Sequence, residues 1–169
     1  MSNQWYLAYT RPLHEKKIAT QFDLWGIEYF LPMTKSLRVW SDRKKYISIP
    51  LFPSYIFVSL PDAESYYQCL QTKGLLYFIK NDGKIAAINE TLINHLKQVV
   101  TDCVEIKVTA DQVPRGEKLI INSGPFTGFT CETICLHGKR KILVRIDLIQ
   151  RTLIADIPLH QIMPIKGIS

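Results

Sequence analysis

One proline-flanked run, Ile47–Val58, constrains the fold of this chain more than any other stretch. Pro50 and Pro53 lack a backbone N–H, so the chain must lie there at a sheet edge or in a bend. After Pro53 the side chains alternate with the period of two that a β-strand requires. The run therefore predicts a strand that begins just after a proline bend.

The two faces of this strand differ in chemistry. Ile56 and Val58 form an aliphatic face suited to a core, whereas Phe52, Tyr55 and Phe57 form an aromatic row on the other side. A sheet face of this kind has to be covered, either by a helix of the same domain or by a partner protein. The residues alone leave both possibilities open.

Composition limits the class of protein. The chain has 169 residues, of which 47% are hydrophobic and 11% aromatic, enough for one ordinary domain or two small ones with real cores. Its net charge of +6 permits contact with nucleic acid without requiring it. No apolar run reaches the length of a bilayer span and the first residues lack the pattern of a signal peptide, so we expect a cytoplasmic protein that binds no membrane.

Residues that could carry chemistry are scattered along the chain. The cysteines lack zinc-ligand spacing and are expected to be buried free thiols without a metal: Cys69, Cys103, Cys131 and Cys135. The histidines stand singly, without paired carboxylates, a nucleophile elbow or a phosphate loop: His14, His95, His137 and His160. We therefore expect no enzymatic activity and no cofactor.

The N-terminal part of the chain opens with a strand, a helix and a second strand. The first strand is predicted over Trp5–Thr10, where aromatic residues are dense. Pro12 is expected to open the helix and Gly26 to end it, because these residues favour the first turn and the C-cap, respectively. The second strand is predicted over residues 27–32.

The segment up to Asp102 continues with two more helices. Asp62 or Ser65 caps the first of them, which we expect to end at Gly74, and Asn89 caps the other. Two short strands are predicted between these helices, on either side of an Asn-Asp-Gly turn: Leu75–Ile79 and Ile85–Ile88. The order β-α-β-hairpin-β-α-β-α predicts an α+β domain with helices flanking an antiparallel sheet.

A basic segment, Met33–Ile49, interrupts this pattern. It carries five cations against the single acid Asp42: Lys35, Arg38, Arg43, Lys44 and Lys45. The apolar residues between them and a turn signal over residues 41–43 predict an extended, projecting β-hairpin. A solvated charged loop is the alternative.

The remainder of the chain differs in character. Residues 103–114 show no convincing period and are predicted to be a flexible linker between a domain over 1–102 and a second over 115–169. Short apolar runs between glycines in the second domain are typical of a small β-barrel. A helix is the alternative there, because aliphatic residues also recur at helical spacing: Ile142, Ile146, Ile149, Leu153 and Ile157.

Two motifs, in this order, resemble a known family. Trp5–Tyr9 with Pro50–Val58 is similar to the N-terminal (NGN) domain of NusG-like transcription elongation factors, and Gly116–Gly128 is similar to the KOW motif of their C-terminal SH3-like barrel. Arg43–Lys45 shortly before Pro50–Phe52 resembles the specialised antiterminators of bacteria, the RfaH-type and the UpxY-like group of capsular polysaccharide operons. The resemblance implies a monomeric factor that binds RNA polymerase, bridges its clamp, and suppresses pausing and termination.

The resemblance also implies contacts with the polymerase. In the family an aromatic patch binds the clamp helices of the β′ subunit, and here it would consist of Tyr9, Phe52, Tyr55 and Phe57. Packing of these rings inside the domain is the alternative. A second contact, with the β-subunit lobe, matches the start of the second helix: Tyr66, Tyr67 and Gln68.

Nucleic-acid contacts and a partner of the barrel follow from the same resemblance. The non-template DNA strand would meet polar residues near the first helix and before Gly74: Arg11, Lys16, Thr72 and Lys73. The hairpin would hold upstream DNA through phosphate contacts with Arg43, Lys44 and Lys45. The barrel would bind ribosomal protein S10 or the terminator Rho, with three candidate contacts: Phe126, Phe129 and Ile149.

Two alternatives accompany this interpretation. The barrel could refold from a helical hairpin, as in RfaH, because of its helical stripe. The chain could instead be a KOW-containing RNA-binding or ribosome-associated protein, which predicts tight binding to RNA alone and little to polymerase.

Overall fold

The computed structural model describes residues 4–39, 41–102, 106–109, 117–121, 130–136, 139–146, 151–155 and 162–164. The chain divides into two compact units, Met1–Asn94 and His95–Ser169. The helices are α1 (Glu15–Trp25), α2 (Ala63–Leu70) and α3 (Glu90–Asp102). The strands before α3 are β1 (Gln4–Thr10), β2 (Tyr29–Phe30), β3 (Met33–Val39), β4 (Lys44–Pro50), β5 (Tyr55–Leu60), β6 (Leu75–Phe78), β7 (Lys80–Asn81), β8 (Lys84–Ile85) and β9 (Ala87–Ile88). The strands after α3 are β10 (Ile106–Thr109), β11 (Glu117–Ile121), β12 (Thr130–Leu136), β13 (Lys139–Ile146), β14 (Arg151–Ala155) and β15 (Ile162–Pro164).

The first unit is built around strand β1. The sheet has the order β2-β5-β1-β6, with β9 also paired to β1, and every pairing is antiparallel. The pairing of β1 with β5 runs from Gln4 opposite Leu60 to Tyr9 opposite Tyr55. The predicted antiparallel sheet with helices is thus confirmed for this unit.

One face of the sheet packs against α1 and α2. Ile56 and Val58, the aliphatic face of the proline-flanked strand, are both fully buried there. The rest of this core comes from α1, α2 and the neighbouring strands: Ala8, Ile18, Ala19, Phe22, Ile27, Leu60, Cys69, Leu75 and Phe78. Burial of such side chains stabilises a fold by about 1.5–3 kcal/mol each, so this face supplies much of the stability of the unit.

Helix α1 begins later than the sequence predicts. Pro12 and Leu13 form a turn, closed by a 3.1 Å hydrogen bond from the His14 N–H to the Arg11 carbonyl, and the helix starts at Glu15. The prediction that Pro12 opens the helix is wrong, because Leu13 adopts a left-handed backbone conformation with φ 65° that no helix can contain. The predicted C-cap is confirmed: Gly26 has φ 68°.

The other two helices have the predicted N-caps. The Asp62 carboxylate accepts a 2.7 Å hydrogen bond from the Ser65 N–H, which lowers the pKa of Asp62, and the Asn89 side chain accepts one of 2.8 Å from the Thr91 N–H. Helix α2 ends at Leu70 and not at Gly74. The chain leaves the helix early because the Thr72 carbonyl accepts from the Leu75 N–H, which closes a separate turn.

The basic segment is a β-hairpin. Strands β3 and β4 pair in continuous register from Met33 opposite Pro50 to Val39 opposite Lys44, as a two-stranded sheet of their own. The solvated-loop alternative is therefore excluded for the paired residues. The distal half of the hairpin is exposed on both strands.

The second unit contains a six-stranded antiparallel sheet of order β10-β14-β13-β12-β11-β15. The short apolar runs of the predicted barrel lie in strands β11, β13 and β14: Leu119–Ile121, Ile142–Val144 and Thr152–Ile154. The described part of the helical stripe lies in β13 and β14. Strand β10 falls inside the predicted linker and pairs with β14, from Ile106 opposite Ala155 to Thr109 opposite Thr152. The domain boundaries that we drew at 102 and 115 stay a prediction.

Candidate functional site

Three tyrosines stand side by side on the second face of the first sheet. Tyr9 on β1 lies directly opposite Tyr55 on β5 and Tyr77 on β6, so three adjacent strands each contribute one ring at the same level. The Tyr9 ring centroid is 5.2 Å from that of Tyr55, edge to face, and 5.2 Å from that of Tyr77, stacked. We call this set the tyrosine triad; Tyr77 is 50% exposed, and Tyr9 and Tyr55 are half-buried.

The two phenylalanines of the expected clamp-binding patch are placed differently. Phe52 and Phe57 are each only 1% exposed, and their rings meet edge to face at 6.1 Å. Phe57 also lies 5.9 Å from the Phe30 ring. The expectation that both offer their rings to a partner is wrong for this conformation, because Phe57 faces buried Leu7 across the sheet and the pair belongs to the interior. Sequence reasoning also missed Tyr77, since a strand of two leucines and two aromatics gives no signal of which ring is exposed.

A buried carboxylate fixes the backbone that leads into Tyr55. Glu15, the first residue of α1, is 3% exposed and its Oε1 accepts a 2.7 Å hydrogen bond from the Ser54 N–H. Ser54 has φ 68°, a left-handed conformation that is unfavourable for a residue with a Cβ. Its carbonyl in turn accepts a 2.9 Å bond from the Thr10 N–H. The bend before Tyr55 is thus tied to the end of β1 and the start of α1, next to the triad.

The expected second polymerase contact lies on α2. Tyr67 is 62% exposed, whereas Tyr66 is half-buried, packs against the core and lies 5.2 Å from the Phe78 ring. The two tyrosine rings contact each other edge to face at 5.3 Å, and Gln68 is half-buried. Of the three residues, Tyr67 alone is an open aromatic surface.

The residues expected to meet non-template DNA divide into two groups. Arg11 and Lys73 are exposed and lie close together in the backbone, since the Arg11 N–H donates a 2.8 Å hydrogen bond to the Gly74 carbonyl. Thr72 is only 2% exposed, so the expectation that it contacts a base directly is wrong: the turn after α2 directs it inward. Lys16 is exposed but its ammonium group donates a 2.7 Å hydrogen bond to the Ser48 carbonyl on β4.

Gly74 has a packing role beside this pair. Its φ is 105°, and a Cβ built on it would lie 2.8 Å from Cδ2 of His14. The imidazole of His14 therefore covers the Gly74 backbone, next to the point where Arg11 and Lys73 approach each other. Only glycine fits this conformation and this contact.

The remaining candidates are the basic residues of the hairpin end and the expected contacts of the barrel. Arg43, Lys44 and Lys45 are exposed at the end of the hairpin. The candidate contacts of the second unit, Phe126, Phe129 and Ile149, lie outside the described residues. Within the described part of the chain no helix is long and apolar enough to cross a membrane, and no group of His, Cys, Asp or Glu could hold a metal ion.

The described thiols behave as core residues. Cys69 and Cys131 are free and buried, as predicted for them. Burial raises the pKa of Cys69 to about 12 and also raises that of Cys131. Cys103 lies outside the described residues and Cys135 lies on β12.

Together these elements define a class: an α+β domain with an antiparallel sheet, three helices and a basic hairpin, whose exposed features suit contact with macromolecules. The family described as transcription termination factor NusG matches residues 3–97, more than half of the chain. The chain therefore belongs to the NusG family of transcription factors.

Solved structures agree on the fold. A structure of Thermotoga maritima NusG that records a domain interaction superposes with a TM-score of 0.65 at 18% identity, covering 98% of this chain and 99% of that one. A MjSpt4:Spt5 complex in its conformation B matches with a TM-score of 0.34 at 12% identity, over 96% of this chain and 97% of that one. The first of these likenesses shows a common fold; the second is too low to do so.

Proposed function

We propose that this chain is a cytoplasmic transcription elongation and antitermination factor that binds RNA polymerase through the tyrosine triad. The observation that carries the proposal is the alignment of Tyr9, Tyr55 and Tyr77 on three paired strands, with the outer ring half exposed. Aromatic rings bury a large area with few rotatable bonds, which suits them to a protein interface. In the NusG-like factors that the sequence resembles, an aromatic patch at this position binds the clamp helices of the β′ subunit.

Further contacts would complete a bridge across the polymerase cleft. Tyr67 on α2 would meet the β-subunit lobe, and a factor held at both sides would resist the opening of the clamp that accompanies pausing and termination. Arg11 and Lys73 would hold the non-template DNA strand, while the hairpin end would bind phosphates of upstream DNA. Membership of the RfaH-type or UpxY-like group, and with it action on polysaccharide-type operons, is supported by Arg43–Lys45 before Pro50.

The second unit would serve as the partner-binding module. We propose that its antiparallel sheet closes into a KOW-type barrel that binds ribosomal protein S10 or Rho. The sequence Gly116–Gly128 supports this assignment.

The test compares two exposed tyrosines on strands of the same unit. Tyr77→Ala removes a triad ring that is 50% exposed, while Tyr46→Ala removes a ring on the hairpin that is 66% exposed. Binding of nucleic-acid-free core RNA polymerase to the immobilised full chain is measured by interferometry. We expect Tyr77→Ala to weaken binding about tenfold or more, as loss of an interface hot spot does, and Tyr46→Ala to bind like the wild type.

Two results would count against the proposal. Equal affinity of both variants would remove the triad from the interface. A wild-type chain that ignores polymerase yet retains structured RNA would instead favour the KOW-containing RNA-binding or ribosome-associated protein.

A further inference from the structure

The β3–β4 hairpin has one apolar face that the proposed function does not use. Directly opposed residues on paired strands point to the same side, and so do alternate residues of one strand. Leu37 lies opposite Tyr46 and Val39 lies opposite Lys44, so all four side chains are on one side of the hairpin. Three large apolar side chains on this side are exposed: Leu37 by 47%, Val39 by 64% and Tyr46 by 66%. We call these three residues the apolar hairpin face. Lys35 and Lys44 stand on the same side of the ribbon, at either end of the set.

Such a face is costly to leave in water. Two-stranded ribbons have no second layer of their own, and large apolar side chains that are exposed side by side mark an interaction surface. The charge of the hairpin limits the partner: five cations and one acid lie between Met33 and Pro50. The partner is therefore an anion that also offers apolar area.

We infer that the apolar hairpin face binds the unpaired bases of a single-stranded nucleic acid. The faces of unpaired bases can stack on the Tyr46 ring and contact Leu37, while their phosphates meet the flanking lysines. In a duplex the bases are already stacked, so a duplex would satisfy the cations and leave the apolar side chains in water. The inference goes beyond the proposed contact of Arg43–Lys45 with upstream duplex phosphates, and it does not depend on polymerase binding.

The experiment uses the full chain and two matched pairs of substitutions. Leu37→Thr with Tyr46→Thr removes two of the three residues of the apolar hairpin face, and Lys35→Thr with Lys44→Thr removes the two lysines that flank it on the same side. Threonine keeps the strand preference in both. Fluorescence anisotropy is recorded over a range of salt concentrations with a labelled oligothymidine and with the same strand annealed to its complement.

The inferred contact predicts different behaviour for the two variants. The apolar-face variant should bind the single strand about tenfold more weakly at every salt concentration, with an unchanged salt slope and an unchanged affinity for duplex. The charge variant should lower the salt slope for the single strand by about 1.4, at about 0.7 per lost phosphate contact. Circular dichroism melts check that both variants keep the wild-type fold.

Two outcomes would overturn the inference. The apolar-face variant could bind the single strand as tightly as the wild type, or it could lose single strand and duplex equally. If the first outcome is accompanied by loss of binding to nucleic-acid-free polymerase, the face binds an acidic protein surface. Since the oligonucleotide assay contains no polymerase, failure here is distinguishable from failure of the tyrosine-triad proposal.

Discussion

The tyrosine triad and the apolar hairpin face both expose tyrosine on paired strands, but the fold supports them differently. The triad lies on three adjacent strands of a sheet that has a helical layer behind it, and the bend beside it is held by Glu15. The hairpin face lies on a ribbon of two strands with its own small sheet. One surface inherits its geometry from a core, and the other from local strand pairing alone.

This difference separates two kinds of recognition. Rings whose spacing is fixed by a packed sheet suit a rigid partner such as a protein helix, because little freedom is lost on binding. A ribbon that carries apolar and cationic side chains suits a flexible polyanion, which can adapt to it. Mutations in the core should therefore change the geometry of the triad and leave the geometry of the hairpin unchanged.

The largest expected effect comes from Phe57, the buried neighbour of the triad. Phe57→Ala should lower the free energy of unfolding by about 3–5 kcal/mol, since it removes a fully buried ring and leaves a cavity. Tyr77→Ala, on the same face but half exposed, should cost about 1 kcal/mol or less. Urea denaturation of both variants, followed by tryptophan fluorescence, measures the difference; similar values would mean that Phe57 is not a core residue.

A smaller effect is expected at Glu15. Glu15→Ala leaves the buried Ser54 N–H without its acceptor, which should cost about 1–3 kcal/mol, whereas Glu15→Gln keeps a carbonyl oxygen in place and should cost less. Because Ser54 precedes Tyr55, the alanine variant should also bind polymerase more weakly. Its affinity for oligothymidine should stay at the wild-type value.

The glutamine variant decides what the carboxylate does. If Glu15→Gln loses as much stability as Glu15→Ala in the same denaturation series, the negative charge matters more than the acceptor. If the oligothymidine affinity of Glu15→Ala falls along with its polymerase affinity, the triad and the hairpin are not structurally independent.

Much of the fold could be predicted because its signals are local. The alternation after Pro53 predicted which side of β5 packs against α1 and α2, and the caps at Gly26, Asp62 and Asn89 each depend on residues within one helical turn. The start of α1 was mispredicted because Leu13, which carries no turn signal, adopts the left-handed conformation usually left to glycine.

The candidate site was harder to predict because its contacts join distant parts of the chain. Which aromatic residue is exposed depends on register: Tyr9 meets Tyr77 while Phe57 meets Leu7, and neither pairing is encoded by neighbours in sequence. The bond between Glu15 and Ser54 spans 39 positions. Strand β10 likewise has only four residues and becomes recognisable only through β14.

The smallest expected effect on stability comes from the hairpin end. Replacing Arg43, Lys44 and Lys45 together by glutamine should change the free energy of unfolding by about 0.5 kcal/mol or less, since these side chains are exposed.

The reactivity of Cys69 in the core provides a second measure of stability, because burial raises its pKa to about 12 and keeps it a neutral thiol at about pH 8.

Peptide-resolved alkylation measures that reactivity. Cys69 of the triple variant should react as slowly as in the wild type, while Phe57→Ala should speed the reaction by increasing opening of the core. Faster alkylation of Cys69 in the triple variant would mean that the hairpin end stabilises the sheet. The hairpin and the triad would then be energetically coupled. Unchanged alkylation with weakened duplex binding would leave the hairpin as a nucleic-acid contact carried by charge, beside a triad whose geometry the core maintains.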